Sequence, residues 1–499
     1  MRPLLTRASA RAFDRAAMNA GIPGLILMEN AGRGAADCLE AHFAGRLDRV
    51  VVVGGTGQNG GDAWVVARRL CTRGRQPTVF LLGDEKDVSG DAATELRALR
   101  AVGCDVEAVS GKGAADVIGV ALTKATALVE GVFGTGLDRA IEGWRAQVIR
   151  RMAASDVPML ALDLPAGIDA DTGAILGEAL PAEITVTFAG AKRGLLQGPG
   201  RAHAGDVVVV DIGVPPPSSP DGWIELSEAA RILPSRATDA HKGSAGHVIV
   251  VAGSPGTSGA ALLASRAVLR GGAGLVTLAS RARLDGRVVE VMARELGTEA
   301  LSDALSWAEG KSAAVVGPGL GTDADGAALA RGLSLSLPIP AVLDADALTA
   351  FAGDLEALRE AAAPRVLTPH PGEAGRMLGI SSAEVQADRY RAAAALSARS
   401  GQVVVLKGAG TIVASNGKLG VCTRGTPALG VAGTGDVLAG AIGATLASGA
   451  DPHDAATAAV VLHAVAGEQA AQGDRGLLAS EVADALPAAL QAARAAARR

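Results

Sequence analysis

A single aspartate stands in a glycine-rich segment near the end of the chain, GVAGTGDVLAG (residues 430–440). Glycines allow a tight turn that leaves backbone N–H groups uncovered, and the start of the following apolar helix adds partial positive charge, so the segment suits an anion. A carboxylate there is poorly placed to bind phosphate but well placed to take a proton from an attacking hydroxyl. Asp436 is therefore a candidate general base, and the alternative is a helix cap.

A second glycine-rich turn follows the apolar run RVVVVGG in the first half of the chain. In GTGQNGGD, Gly55, Gly57 and Gly60 match the GxGxxG pattern, and Asp84 ends the next apolar run. This pattern is typical of a dinucleotide-binding turn. The letters QNGGD also pack two amides and a carboxylate into the turn, and such groups can hydrogen-bond a sugar or an amide, or ligate a hard cation through oxygen.

Three later segments of the first half offer further polar groups. VEGVFGTGLDRAI contains Glu130 and another glycine loop, LDLPAGIDADTG contains Asp163 at the end of an apolar run, and AKRG contains Lys192. Asp169 and Asp171 follow in the second of these segments, where turn formation is the simpler interpretation.

Several loops in the second half combine glycines with strand ends. LKGAGT (residues 406–411) follows an apolar run, and its backbone can wrap a nucleotide phosphate or ribose, although no GxxxxGK[ST] motif occurs. GPGLGT provides Gly319 and Gly321, where a ligand can approach the backbone closely. GSPGTSGAALLASRA opens a predicted helix with Ala260 near its start.

Titratable residues stand beside these loops. His370 lies between two prolines in TPHPGE, where it either contacts a ligand or stabilises the turn. Asp344 and Asp346 in LDADAL alternate on a predicted strand, so one of them is expected to face the site and the other not. Glu373 or either aspartate could hold Mg²⁺, and a solvated face is the alternative.

The elements that position these residues follow one pattern in both halves. Short apolar runs alternate with alanine-rich helical segments, which predicts βαβ units, parallel sheets and functional loops at the carboxyl ends of the strands. The Pro- and Ser-rich stretch GVPPPSSPDGW interrupts this pattern. We therefore predict a first domain over residues 1–213, a linker over 214–222 and a different α/β domain over 223–499.

The length and composition of the chain exclude several classes of protein. The 499 residues exceed the roughly 250–300 that one hydrophobic core serves. A net charge of −5 with 2% aromatic residues argues against a nucleic-acid partner. The four cysteines form no CxxC pair, and no apolar run approaches the ~20 residues of a membrane span. We expect a cytoplasmic protein with reduced thiols, without a zinc site and without a membrane partner.

The motifs LMENAGRG, GTGQNGGD, FGTGL and DLPAGIDADTG resemble the N-terminal domain of the NAD(P)H-hydrate repair proteins, and the resemblance covers residues 1–213. That domain is an epimerase with a Rossmann-like three-layer αβα fold, which interconverts the R and S forms of hydrated NADH and NADPH. The resemblance implies a catalytic role for Asp163 and one K⁺ ion at the positions of Asn59, Glu130 and Ala166. The positions implied to contact the hydrated dinucleotide are Gln58, Asn59, Gly60, Gly61, Asp62, Gly134, Thr135, Gly136, Leu137, Asp138, Arg139, Ala140 and Asp163.

Four positions depart from the family pattern, and they cluster at the implied K⁺ site. The pattern has Asn at Gln58, Asp at Glu130, Ser at Ala166 and usually Gly at Ala63. An alanine side chain offers no oxygen, and the extra methylene of glutamate moves its carboxylate by about 1.5 Å, unless it fills the space left by the alanine. Misplacement by about 1 Å can cost on the order of a hundredfold in rate. A site that binds ligand but turns over slowly, or lacks K⁺, is therefore an alternative.

The motifs DAHKGSAGHV, GPGLG, LDADAL, LTPHPGE, LKGAGT and GTGDVLAG occur in family order and resemble the C-terminal dehydratase of the same repair proteins, over roughly residues 223–490. This resemblance implies a ribokinase-like α/β fold. The positions implied to contact the hydrated nicotinamide are Ala260, Gly321, His370 and Asp436. The positions implied to hold the adenine nucleotide are Lys407, Gly408, Ala409, Gly410, Thr411 and Gly435.

The same resemblance implies a reaction that uses ADP and Mg²⁺, in a homo-oligomer. Asp436 takes the proton of the 6-hydroxyl as the β-phosphoryl group of ADP arrives, and loss of phosphate then gives NAD(P)H, AMP and phosphate. The residues themselves do not separate ADP from ATP. A ribokinase-type small-molecule kinase with a non-catalytic dinucleotide-binding first domain is the alternative function.

Overall fold

The computed structural model describes residues 1–284 and 288–498, and the chain divides into two compact units. One unit comprises Arg2–Asp221, and the other comprises Met1 with Gly222–Arg499. The division falls within the Pro- and Ser-rich stretch identified in the sequence.

The N-terminal unit alternates strands with helices. Its strands are β1 Arg2–Leu5, β2 Val50–Gly54, β3 Thr78–Leu82, β4 Val106–Val109, β5 Ala127–Gly131, β6 Met159–Leu162, β7 Ile184–Phe188, β8 Ala191–Lys192 and β9 Asp206–Val210. Its helices are α1 Arg7–Asn19, α2 Gly24–His42, α3 Gln58–Thr72, α4 Gly90–Ala101, α5 Ala114–Leu122, α6 Gly143–Ala153 and α7 Gly198–Ala204, with 3₁₀ turns at Glu85–Asp87 and Arg193–Leu195.

The main sheet of this unit is parallel, in the order β4-β3-β2-β5-β6-β7-β9. The valines of β2 alternate between two buried clusters, so both faces of the sheet are covered by helices, as a near-continuous apolar strand requires. The strand order reverses between β2 and β5. In open α/β sheets the ligand crevice lies at such a reversal. The predicted three-layer αβα arrangement is confirmed.

The C-terminal unit repeats this alternation of strands and helices. The strands in order are β10 Asp221–Trp223, which spans the division, β11 His247–Val251, β12 Leu275–Ser280, β13 Met292–Glu295, β14 Ala313–Val316, β15 Ala341–Leu343, β16 Arg365–Leu367, β17 Val403–Leu406, β18 Thr411–Ser415 and β19 Lys418–Cys422. The helices are α8 Leu226–Ile232, α9 Ser258–Arg270, α10 Ala300–Ala308, α11 Ala324–Ser336, α12 Asp346–Thr349, α13 Pro371–Leu378, α14 Ser382–Ala387, α15 Arg389–Ser400, α16 Thr434–Ala447, α17 Pro452–Ala470 and α18 Ala479–Ala496, with 3₁₀ turns at Leu355–Glu360 and Pro427–Leu429.

The sheet of this unit runs β13-β12-β11-β14-β15-β16-β17-β18-β19. The strands are parallel as far as β17, and β18 and β19 extend the sheet antiparallel. Small residues let the helices pack closely, because a Cβ added at Gly440 of α16 would lie 2.3 Å from the carbonyl oxygen of Ala264 in α9. Alanine packing therefore builds much of a core that has few aromatic residues.

The prediction that Asp344 and Asp346 alternate along one strand is wrong. Strand β15 ends at Leu343, Ala345 has a positive φ of 49°, and Asp346 begins helix α12. The chain turns sharply after the strand, so the two-residue period of a strand does not apply to these carboxylates.

Two expectations from composition can be compared with the structure. Cys38, Cys71, Cys104 and Cys422 are free in the structure. Over residues 1–284 and 288–498, no helix combines the length and the apolarity that crossing a bilayer requires.

Arg365 is a fully buried cation held by backbone carbonyls at the end of α11. Its Nε donates to Ser334 O at 2.7 Å, Nη2 to Leu337 O at 2.7 Å and Nη1 to Ile339 O at 2.9 Å. Burial lowers the pKa of Arg365 to about 10. The guanidinium therefore pairs carbonyls that the helix end leaves free.

Arg365→Met is expected to lower the free energy of unfolding by about 3 kcal/mol or more, because several buried carbonyls lose their donor. Urea unfolding followed by circular dichroism measures the loss. Arg391→Met is the matched control, since the Arg391 side chain is mostly exposed. A loss below about 1 kcal/mol would show that the carbonyls find other partners.

Candidate functional site

A cavity of about 1060 Å³ lies at the strand reversal of the N-terminal unit. Its walls come from the end of β2, the first turn of α3, the loop after β5, and helices α1 and α2. The predicted site residues that line it are Gln58, Asn59, Asp62, Gly134, Thr135, Gly136, Leu137, Asp138, Arg139, Ala140 and Asp163. Gly60 and Gly61 do not line it.

The QNGGD segment forms the first turn of α3 and not a loop. Gly57 is the N-cap and makes no side-chain capping bond, so the first N–H groups of α3 keep the positive end of the helix dipole open. A Cβ at Gly60 would lie 1.9 Å from the Gly55 carbonyl oxygen, and one at Gly61 would lie 2.4 Å from Met28 Sδ. These two glycines therefore let α3 start close to its neighbours, while the residues around them face the cavity.

Asp163 is held in a strained backbone conformation by a lysine and a threonine. Its φ is 65°, in the left-handed region, where functional residues often lie. Oδ1 lies 2.6 Å from Lys192 Nζ, and Oδ2 accepts the Thr135 N–H at 2.8 Å. Burial raises the pKa of Asp163, but Lys192 and the Thr135 bonds lower it by more, so this carboxylate is ionised at neutral pH.

The pKa of Asp62 shifts in the direction opposite to that of Asp163. Burial, followed by the charge of Asp163, raises its pKa well above the ordinary value, although Lys192 opposes the shift. Asp14 of α1 also lines the cavity, and burial raises its pKa too. The sequence analysis did not select Asp14; its three-residue spacing from Arg11, which also lines the cavity, was the available signal. One cavity thus contains a carboxyl whose pKa is lowered and two whose pKa values are raised, an arrangement suited to acid–base chemistry.

Glu130, at the end of β5, is fully buried beside Ala166. Its Oε1 accepts the Ala166 N–H at 2.7 Å and its Oε2 the Val132 N–H at 3.0 Å. Burial raises the pKa of Glu130 to about 8, and these two bonds oppose the shift. Asn59 Nδ2 donates to Leu162 O at 3.0 Å, while the buried Asn59 Oδ1 has no partner. The unpaired Asn59 Oδ1 is an oxygen available to a cation, whereas Ala166 can offer only its backbone.

Asp436 lies in the first turn of α16 and does not cap it. The N-cap is Gly433, which adopts a φ of 92° and makes no side-chain capping bond, so the helix-cap alternative is wrong. Burial raises the pKa of Asp436 to about 7; the Asp344 carboxylate adds to the rise and Lys407 opposes it. A carboxylate with this pKa can accept a proton near neutral pH.

The loops after β15 and β17 form a charged cluster beside this helix. Lys407 Nζ lies 2.8 Å from Asp344 Oδ1 and 3.9 Å from Glu373 Oε2. Thr368 Oγ1 also donates to Asp344 Oδ1, at 2.7 Å. Asp346 lies apart from this pair, and its Oδ2 accepts the N–H of Gly321 at 2.8 Å. Each aspartate thus organises a different loop.

His370 does stabilise its turn, because it is the N-cap of α13. Its Nδ1 accepts the N–H groups of Gly372 at 3.0 Å and Glu373 at 3.4 Å. About half of the side chain stays exposed. Burial, with Lys407 and Arg376, lowers the pKa of His370, so the imidazole is neutral at pH 7.

The other predicted positions lie on loops and helix starts of this unit. Ala260 is in the first turn of α9, and Gly321 has a φ of 99°. Gly408 and Gly410 both have positive φ angles, so Lys407–Gly410 form a compact loop, and Thr411 begins β18.

The sequence analysis missed one residue that contacts the start of α16. His463, on α17, donates from Nε2 to the Thr434 carbonyl oxygen at 3.0 Å, and burial lowers its pKa to about 4. Nothing in its alanine-rich sequence context signals this contact.

Both halves of the chain match models of known protein families. Residues 24–194 match the family described as YjeF-related protein N-terminus, and residues 248–488 match the family described as NAD(P)H-hydrate dehydratase. The two matches lie in different compact units.

Curated relatives resemble the chain over nearly its whole length. The bifunctional NAD(P)H-hydrate repair enzyme Nnr of Moorella thermoacetica is 38% identical, over 98% of this chain and 96% of that protein. The protein of the same name from Coxiella burnetii is 35% identical, over 95% and 96%, and that from Escherichia coli is 34% identical, over 87% and 83%.

Solved structures resemble slightly more than half of the chain. A ribokinase-like superfamily protein from Enterococcus faecalis V583 is 25% identical with a TM-score of 0.50, covering 56% of this chain and 98% of that one. The ADP/ATP-dependent NAD(P)H-hydrate dehydratase from Bacillus subtilis, co-crystallised with ATP and Mg²⁺, is 30% identical with a TM-score of 0.48, covering 55% and 98%. The resemblance read from the sequence motifs is confirmed by the near full-length relatives: the chain belongs to the family of bifunctional NAD(P)H-hydrate repair enzymes.

Proposed function

We propose that the chain repairs hydrated NADH and NADPH. The N-terminal unit interconverts the R and S hydrates, and the C-terminal unit dehydrates the S form with ADP, giving NAD(P)H, AMP and phosphate. The observation that best supports the dehydration concerns Asp436. Its carboxyl has a pKa of about 7 and lies in the first turn of a helix that has no side-chain cap. An open helix start binds an anion, and such a carboxylate removes a proton beside it.

In the dehydration, Asp436 accepts the proton of the 6-hydroxyl while the hydroxyl oxygen attacks the β-phosphorus of ADP. The bond from that phosphorus to the bridging oxygen breaks, and AMP leaves with the electron pair. The phosphate then leaves C6 with its bonding electrons, and loss of a ring proton restores the double bond. The amide groups of the Gly433–Asp436 turn offset the charge of the transferring group.

Nucleotide and substrate are assigned to different loops of the C-terminal unit. We assign the adenine nucleotide to Lys407–Thr411 and Gly435, because the positive φ angles of Gly408 and Gly410 form a compact backbone loop. Ala260, Gly321 and His370 are assigned to the hydrated nicotinamide. Their support is the family pattern together with their position on loops and helix starts.

We expect Mg²⁺ to bind together with the phosphates of the nucleotide. Over residues 1–284 and 288–498, no three His, Cys, Asp or Glu side chains converge on a preformed metal site. Mg²⁺ often takes one or two carboxylates together with substrate phosphates, and the residues present fit that mode. Glu373, or one of the aspartates Asp344 and Asp346, would hold the ion. When bound, the ion would neutralise part of the negative charge of the phosphates.

In the epimerase unit we assign catalysis to Asp163, and substrate contacts to the cavity-lining residues around it. The support is that Asp163 is ionised, fixed by Lys192, and faces a cavity that also contains Asp62, whose pKa burial raises well above its ordinary value. Inversion at C6 requires one group that gives a proton and one that takes it.

We assign the K⁺ site to Asn59 Oδ1 and Glu130, with Ala166 adding no side-chain ligand. K⁺ is expected to raise the thermal midpoint by about 2–4 °C relative to tetramethylammonium at equal ionic strength. Glu130 has a raised pKa, so without K⁺ the folded state holds a proton that the unfolded state releases, and stability falls as pH rises through about 8. The K⁺ effect should therefore grow between pH 7 and 9.

Differential scanning calorimetry of the full chain measures this K⁺ effect. Glu130→Gln should abolish it, whereas Glu107→Gln, at an exposed position of β4, should keep it. An equal rise in the Glu130→Gln variant would show that K⁺ binds elsewhere.

The proposed function is tested by adding the protein to mixed R and S NADH hydrate with ADP and following the absorbance of reduced nicotinamide. Recovery of both epimers, faster than their spontaneous exchange, supports both activities. Recovery that stops at the S fraction removes the epimerase half of the proposal. A stable phosphorylated product without recovery, with either ADP or ATP, would support the small-molecule kinase instead.

Cytoplasmic location, homo-oligomer formation and the absence of a nucleic-acid partner stay predictions. They rest on the scattered cysteines, on the family resemblance and on the net charge of −5, respectively. Size-exclusion chromatography with light scattering would measure the oligomeric state.

A further inference from the structure

The side chain of Lys407 reaches from the nucleotide loop towards the reaction centre. Its Nζ lies 2.8 Å from Asp344 Oδ1 and 3.9 Å from Glu373 Oε2. Asp344 is almost fully buried, whereas 19% of the lysine side chain remains accessible. The ammonium therefore has a fixed anchor on one side and an accessible face on the other.

That ammonium also lies against the first turn of α16. A Cβ built on Gly435 would be 3.3 Å from Lys407 Nζ, so the cation packs directly on the backbone at the start of α16. The first turn of a helix carries partial positive charge, which makes a neighbouring cation unfavourable by itself. An anion between the two would be bound by both of them.

The Asp344 carboxylate holds the lysine ammonium in place by a direct ion pair. Lys407 is thus a paired cation beside the open helix start that also carries the candidate base, Asp436.

We propose that the Lys407 ammonium binds the non-bridging oxygens of the phosphoryl group during its transfer, a role separate from nucleotide binding by the backbone of the same loop. The proposal rests on the dehydration assigned to Asp436. As the bond from the 6-hydroxyl oxygen to phosphorus forms and the bond to the bridging oxygen breaks, AMP takes the electron pair and Asp436 takes the proton. Lys407 keeps its own proton and offsets the charge on the transferring oxygens.

The alternative is that Lys407 only neutralises the buried Asp344. A structural counter-ion of this kind would affect folding and the shape of the nucleotide loop. Its removal would not lower kcat while leaving the affinity for ADP unchanged. A group that contacts the transferring phosphoryl would lower kcat and leave the affinity for ADP nearly unchanged, because the loop backbone still holds the nucleotide.

The test compares Lys407→Ala with Lys418→Ala in the full chain, using S hydrate and ADP; Lys418 is an exposed lysine at the start of β19. We expect Lys407→Ala to lower kcat by about 100-fold or more, while the Kd for ADP measured by calorimetry changes by less than about 3-fold. Added ethylammonium should restore turnover by about 10-fold, because it can occupy the vacated space. Lys418→Ala should match the unmodified chain in all three measurements.

Two results would overturn the proposal: an unchanged kcat with a weakened Kd for ADP, or a folded Lys407→Ala protein that ethylammonium does not rescue. If Lys407→Ala fails to fold, the double variant Lys407→Met/Asp344→Asn removes both charges together, and full turnover by that protein would equally overturn it. Asp436→Asn is measured in parallel. Normal dehydration by Asp436→Asn would show that the assignment of the base has failed, whatever the lysine does.

Discussion

Asp436→Asn is expected to lower the kcat of dehydration by about 10²–10⁴-fold while the exchange of R and S hydrates continues at its normal rate. Asparagine keeps the size of the side chain but cannot take the hydroxyl proton, and the loss of a positioned general base costs this much. Absorbance recovery from pure S hydrate with ADP measures the change. Asp325→Asn, at an exposed position of α11, is the matched control.

The same residue predicts the pH dependence of dehydration. Asp436 must be ionised to accept a proton, and its pKa is about 7, so the rate should fall about tenfold for each pH unit below 7 and level off above it. The chemical step must be followed in single turnover, since slow product release would hide the titration. A rate that stays level down to pH 5 would mean that Asp436 is not the base.

Asp163→Asn is expected to slow the exchange of R and S hydrates by at least about 100-fold and to leave dehydration of the S form unchanged. The substitution removes the ionised carboxylate from the cavity and leaves Lys192 without its partner at 2.6 Å. With mixed hydrates and ADP, recovery should stop at the S fraction, apart from slow spontaneous exchange. Nuclear magnetic resonance of the two epimers measures the exchange directly.

The outcome for Asp163→Asn must be separated from loss of the fold, because Lys192 is buried and would become an unpaired cation. The double variant Asp163→Asn/Lys192→Met removes both charges and should fold while remaining unable to exchange the epimers. Rapid exchange by either folded variant would contradict a catalytic role for Asp163. Unchanged dehydration in the same samples shows that the C-terminal unit is intact.

The fold could be predicted from the sequence because it follows from local patterns. The valine-rich run of β2 needs burial on both faces, and such strands separated by helical segments form a parallel sheet with its loops at one edge. The same logic placed Asp163 and Lys407 just after strands, where the structure has them. These inferences use only the order of residues along one element.

The error over Asp344 and Asp346 arose where the chain departs from such a regular period. Ala345 turns the backbone out of the strand conformation, so the two aspartates serve different loops. The close packing of Gly60 and Gly61 beside Gly55 and Met28 was likewise not visible in the sequence. Distances between elements decide both features, and a local sequence pattern does not contain them.

The sequence by itself determined the two-domain α/β organisation, the family, and the side chains that can carry the chemistry. Only the tertiary structure decided the direction in which the pKa of each group shifts. Asp62 and Asp163 are the same residue type in one cavity, but burial raises the pKa of Asp62, whereas Lys192, distant in sequence from Asp62, brings the pKa of Asp163 below its ordinary value. A pKa depends on burial and on neighbours from distant parts of the chain, and folding alone brings these together.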